Sequence, residues 1–110
     1  MGEVNTGDAV LDEIVRRIVE VADPDRIILF GSRARGDARE DSDYDVLVVA
    51  DCDLPQYART VPIYRATSGI TEPVDIVWWT PEEIDEWRNV HSFFVTRAVR
   101  EGQVLYERAA

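Results

Sequence analysis

The chain has 110 residues, 45% hydrophobic and 31% charged, which suits one soluble domain over residues 1–110 built on a single modest core. Its net charge is −10 and all 12 basic residues are arginine; such a chain repels nucleic-acid backbones unless its arginines form a basic stripe, and none does here. The lone Cys52 excludes an internal disulfide or a thiolate metal cluster, no apolar run reaches membrane-span length, and the start MGEVNTGDAVLDE is unlike a signal peptide, so a cytoplasmic location is expected.

The first predicted element is a helix from Asp8 to Val21. Val10, Leu11, Ile14, Val15, Ile18 and Val19 recur at helical spacing, with Arg16, Arg17 and Glu20 on the other side, and DPD at 23–25 ends it. RIILF (26–30) is short, apolar and β-branched, hence a buried central strand. DYDVLVVA (43–50) predicts a second buried strand. LPQYARTVPIYRATSG (54–69) predicts an irregular helix that Pro62 breaks or kinks and Gly69 ends. PVDIVWWT (73–80) predicts a third strand. TPEEIDEW then offers a Thr cap, Pro at the first helical position and acids in the first turn. SFFVTRAVREG (92–102) predicts a last helix ended by Gly102, and QVLYE (103–107) a short final strand. The order indicates a compact α/β (α+β) fold, a small mixed sheet flanked by helices.

Between the first two strands stands GSRARGDAREDSDYD (31–45). Residues two apart on a strand share a face, so Asp43 and Asp45 project together while Tyr44 points away. Paired carboxylates repel unless a cation holds them, and Asp75 in the third strand completes a trio if the two strands are neighbours. Oxygen ligands alone select Mg²⁺ or Mn²⁺ over zinc. At the other end Gly31 permits a sharp turn, Ser32 is expected to cap a short helix over SRAR, and Arg33 and Arg35 add positive charge for phosphate oxygens. A phosphate cradle facing a carboxylate cluster is the equipment of phosphoryl or nucleotidyl transfer.

Gly31-Ser32, ten residues, then Asp43-Tyr44-Asp45 resembles the signature of the DNA polymerase β nucleotidyltransferase superfamily, and LFGSRARGDAREDSDYDVLVV is similar to its smallest members, the minimal nucleotidyltransferases. The likeness runs from the first helix through VDIVWWT to FFVTRAVREGQVLYE. It implies Mg²⁺–NTP binding through the Gly-Ser turn and three acids, with Asp43 and Asp45 as the first two and Asp75 as the third by strand context.

Family members of this size pair with a helical HEPN-domain protein as a toxin–antitoxin system. The resemblance therefore implies an antitoxin that transfers AMP from ATP, with two Mg²⁺ ions, to a tyrosine of a HEPN ribonuclease. A homo- or hetero-oligomer is compatible with it. The alternative is an antitoxin that neutralises its partner by binding alone; transfer to a small molecule such as an aminoglycoside shares the same site. Outside the motif, Asp37, Arg39, Glu40, Asp41 and Ser42 read as solvated loop and turn, and His91 as a cap or packing residue. Tyr44, Tyr57, Tyr64 and Tyr106 read as packing residues. Of the adjacent Trp78 and Trp79, one is expected to face away from the core.

Overall fold

A computed structural model defines residues 6–36, 43–87 and 94–108. Asp37, Arg39, Glu40, Asp41, Ser42, His91 and Ser92 lie outside the described residues.

Helix α1 spans Ala9–Ala22. The Asp8 carboxylate accepts the N–H groups of Val10 and Leu11, two of the donors that a helix start leaves without partners. The helix buries Leu11, Ile14, Val15 and Ile18 and stops at Asp23, which turns left-handed with φ 45° and returns its N–H to the Val19 carbonyl. Strand β1, Arg26–Phe30, follows, then the single turn α2, Ser32–Arg35, and strand β2, Tyr44–Val49. The expected irregular helix is two pieces: a 3₁₀ turn, Gln56–Ala58, and α3, Val61–Ala66. Pro62 lies in the first turn of α3 and starts that helix rather than breaking it, because no intrahelical bond there needs its missing N–H. Strand β3, Val74–Trp79, helix α4, Pro81–Trp87, helix α5, Phe94–Glu101, and strand β4, Gln103–Glu107, complete the order.

The four strands form one mixed sheet in the order β3-β2-β1-β4. The central strand β1 pairs antiparallel with β2 and β4, while β2 and β3 run parallel through the crossover that contains α3. On the outer strand β3 the Ile76 N–H donates to the Tyr64 hydroxyl at 2.9 Å. Gly102, between α5 and β4, has no room for a side chain: a Cβ there would sit 2.4 Å from the Ala98 carbonyl oxygen and 2.5 Å from Ile28 Cγ2. That closeness lets the last helix–strand turn press directly onto β1.

Both faces of the sheet are covered. Ile27, Leu29, Tyr44, Val46, Val48, Ile76 and Trp78 pack under α1 and α3 with Leu11, Ile14, Ile18 and Ile63. Ile28, Leu47, Val49 and Trp79 pack on the opposite side with Ala98 of α5, and with Ile84 of α4 beside them. The two tryptophans, expected to divide between core and surface, are therefore both buried, at 7% and 9% exposure. Trp78 Nε1 donates to the Ala50 carbonyl at 2.8 Å, which removes the cost of burying a polar indole.

Helix α4 begins with the expected Thr80 cap. Its hydroxyl accepts the Glu83 N–H at 3.2 Å, and Glu83 Oε1 takes the Thr80 N–H at 2.9 Å. The same Glu83 oxygen accepts Arg59 Nη1 at 2.6 Å, tying the crossover to α4 through a guanidinium that is otherwise buried. Arg59 and the Thr80 N–H hold the Glu83 carboxyl below its ordinary pKa.

Candidate active site

Strand pairing decides where the acids meet. In the parallel β2–β3 ladder, Asp45 is the register partner of Asp75, on strands that neighbour each other at about 4.8 Å. Alternation puts both on the face that carries Leu47, Val49, Val77 and Trp79, at the end of the strands beyond those packed side chains. Asp43 stands one residue before β2 and is exposed.

Asp45 feels the charge of both other acids. Burial raises the Asp45 pKa, the charges of Asp75 and Asp43 raise it further, and Arg35 works against them. Among the described residues no three such side chains are drawn together into a ready-made metal centre. What the strands deliver is a rim of carboxylates, one of which is held at a disadvantage when ionised.

The other half of the site comes from the end of β1. In the antiparallel ladder Phe30 is the partner of Asp45, so the chain leaves β1 beside the acid. Gly31 then adopts φ 76° and ψ −158°, a region open essentially to glycine alone. A Cβ at Gly31 would lie 2.3 Å from Asp45 Oδ2. The turn backbone is thus seated against the carboxylate, as a ligand bridging the two would require. Gly31, rather than Ser32, is the cap residue of α2, and Ser32 is its first residue without a side-chain capping bond. The sharp turn starts the helix one position earlier than the sequence suggested, and it leaves the Ser32 hydroxyl clear of a capping task.

The two arginines of the motif part company. Arg35 influences Asp45 and lines a cavity of about 460 Å³ between α2 and α5, whose walls include Phe30, Gly31, Arg97 and Gly102. Arg97 pairs with Glu101 at 3.4 Å across an exposed turn of α5, a contact worth little in water. Arg33 lies elsewhere: its guanidinium carbon is 3.9 Å from the centre of the Tyr44 ring, on the α1 side of the sheet. Tyr44 in turn donates to Asp8 Oδ2 at 2.7 Å. Burial and the Asp8 carboxylate push the Tyr44 phenol up to about 12. Burial alone would raise Asp8, yet the Tyr44 hydroxyl and the N–H groups of Leu11 and Val10 hold it below the usual value. Sequence reasoning read Tyr44 as packing only. The alternation that turned it away from the acids was visible, but its Asp8 partner, 36 positions earlier, was not.

The residues fit a hard divalent cation by their chemistry. The donor set is oxygen only, Asp45 loses its like-charge penalty when a cation arrives, and the missing Cβ at Gly31 lets the Asp45 carboxylate lie against the turn backbone.

Comparison with known proteins agrees with this architecture. The family model described as "Nucleotidyltransferase domain" matches residues 11–104. A protein of Methanocaldococcus jannaschii named "Putative protein adenylyltransferase MJ0604" is 64% identical over 81 residues, covering 74% of this chain and 77% of that protein. The solved structure of a toxin–antitoxin with AMP-PNP superposes with a TM-score of 0.63 at 23% identity, over 88% of this chain and 73% of that one. The toxin–antitoxin MntA–HpeT gives a TM-score of 0.59 at 22% identity, over 89% and 72%. These two likenesses establish the fold. With a family match over residues 11–104, a close relative, and the Gly31 turn seated on a strand-borne acid, the chain belongs to the nucleotidyltransferase domain family.

Proposed function

We propose that this chain, acting as a single catalytic domain, transfers AMP from ATP to a tyrosine hydroxyl of a HEPN ribonuclease toxin and so serves as an antitoxin. The observation that carries the reading is the Gly31 backbone set against Asp45, with Asp75 in register beside it. It is supported by the adenylyltransferase name of the Methanocaldococcus relative and by structural neighbours described as toxin–antitoxin complexes, one with AMP-PNP.

In the reaction the acceptor oxygen attacks the α-phosphorus of ATP. A new P–O bond forms, the bond to the β-phosphate oxygen breaks, and pyrophosphate leaves. Ser32 and the Gly31 turn hold the β- and γ-phosphates, with Arg35 adding charge on the same side. The cavity between α2 and α5 is within the size range of small-ligand sites and gives the rest of the nucleotide a place. Asp75 is exposed on the edge strand, so an acceptor approaching from outside meets it first and passes its proton there, then to water. Asp43, Asp45 and Asp75 would hold Mg²⁺, two ions or Mn²⁺ in its place, which supplies charge neutralisation at the phosphates and lowers the acceptor's pKa.

The test is incubation with labelled ATP, Mg²⁺ and the purified product of the adjacent gene. Label on a tyrosine of that protein is expected, and the double variant Asp43→Asn/Asp45→Asn should abolish it while the far-UV spectrum stays unchanged. Undiminished transfer by the double variant would refute the assignment. A tight complex that never acquires label would replace it with the binding antitoxin.

A further inference from the structure

Behind the acid-bearing strand, one side chain reaches both halves of the site. Tyr44 is joined by its backbone to Asp43 and Asp45, and its buried ring points to the opposite face of the sheet. Its hydroxyl donates to Asp8 Oδ2 at 2.7 Å, and the other oxygen of that carboxylate fixes the first turn of α1. Over the ring, at 3.9 Å, stands the guanidinium of Arg33, the residue that follows Ser32 in α2. Sliding α2 against β2 must therefore separate a cation from the face of a buried aromatic ring. Sliding β2 against α1 must break a hydrogen bond to a carboxylate that has two further partners. Leu29 and Val46, in the same core cluster, fill space without any such attachment.

We propose that Asp8, Tyr44 and Arg33 form a clamp that sets the spacing between the Gly31–Ser32 turn and the acids Asp43, Asp45 and Asp75, and thereby makes nucleotide and divalent cation bind cooperatively. The inference rests on the nucleotidyl-transfer reading above. A cation held by the acids and phosphates held by the turn form one ligand only if the two halves stand at the right separation. When that separation is fixed beforehand, binding does not have to order it. All three are positioning residues that act through the backbone of their neighbours. Arg33, which sequence spacing aimed at the phosphates, is given a different task by its place on the far face.

The test is calorimetric titration of the full chain with AMP-PNP, with and without Mn²⁺, together with titration of Mn²⁺ alone. The quantity read is the factor by which Mn²⁺ tightens AMP-PNP, which linkage makes equal to the factor by which AMP-PNP tightens Mn²⁺. Tyr44→Phe removes the Asp8 bond and keeps the ring; Arg33→Gln removes the stacked cation. Each should lower that factor by about tenfold, while metal-free AMP-PNP affinity and nucleotide-free Mn²⁺ affinity change by less than about twofold. Arg33→Lys, which keeps a cation over the ring, should restore most of the factor. An unchanged factor in both variants overturns the clamp. So does a large loss of metal-free AMP-PNP affinity in Arg33→Gln, which would make Arg33 a phosphate ligand. If Tyr44→Phe does not fold, Arg33→Gln decides alone, since its side chain lies outside the core. A wild-type chain that binds no AMP-PNP with Mn²⁺ overturns the nucleotidyl-transfer reading, and the clamp with it.

Discussion

On the α1 side of the sheet, β2 presents Tyr44, Val46 and Val48 to a dense cluster of aliphatic side chains from α1 and α3. On the other side the same strand presents Asp45, Leu47 and Val49, and among the described residues the last two pack with Ala98 of α5, with Ile84 and Val99 nearby. One strand thus serves two purposes by alternation. Its even positions pack under α1 and α3, and its odd ones run from Leu47 and Val49, packed near Ala98, out to Asp45 at the charged rim. The contrast teaches how one strand can be divided: on the proposed reading, the face that packs under α1 and α3 anchors the strand whose other face bears the acids.

The comparison can be broken on the closed side first. Ile14→Ala empties a fully buried position between α1 and the sheet and should cost about 2–5 kcal/mol. Urea denaturation should show the loss, while AMP transfer per folded molecule stays near wild type. An equal collapse of activity would mean that the two faces are not separable. Gly31→Ala acts at the junction. Its backbone conformation excludes an ordinary residue at a cost of about 1–3 kcal/mol. The new Cβ also meets Asp45 Oδ2 at 2.3 Å, so the carboxylate must move. AMP transfer should fall well beyond what the loss of stability explains, measured below the melting temperature of the variant.

The smallest effect separates the faces by sign. Asp45 has a raised pKa, so the folded state favours its protonated form, and its ionisation detracts from stability as pH rises from the ordinary Asp range through the folded value. Asp8 has a lowered pKa; its contribution is present above the ordinary range and lost as pH falls through the folded value. Asp45→Asn should therefore melt higher than wild type at neutral pH without added metal, and Asp8→Asn should not. Mg²⁺ should raise the melting temperature of wild type and do so less for Asp45→Asn. A lower melting point for metal-free Asp45→Asn would mean that the ionised Asp45 carboxylate stabilises the fold instead of opposing it.

Much of this was legible in the sequence because it depends on near neighbours. Strands β1 and β4 fall on the residues that hydrophobic patterning marks, and β2 and β3 differ from the expected spans by a residue at each end. The Thr80 cap is spelled out locally by Thr-Pro-Glu-Glu. Long-range facts were hidden. Nothing in YDVLVV or VDIVWW states that β2 and β3 run parallel, and only that register brings Asp75 beside Asp45. Trp78 and Trp79 are both buried because helices cover both faces, a property of the assembled sheet. Arg33 and Arg35 look equivalent in GSRARG, yet a four-residue helix turns one toward Tyr44 and leaves the other near Asp45.

The Tyr64 hydroxyl that takes up the Ile76 N–H has a consequence for how another protein can approach. Strand β3 is an outer strand, and such strands invite foreign chains to extend the sheet. One rung of that ladder, next in sequence to Asp75, is already occupied by a phenol from the crossover helix. A visitor cannot zip onto the edge there without first dislodging it, so the doorway beside the acids admits a projecting side chain more readily than an added strand.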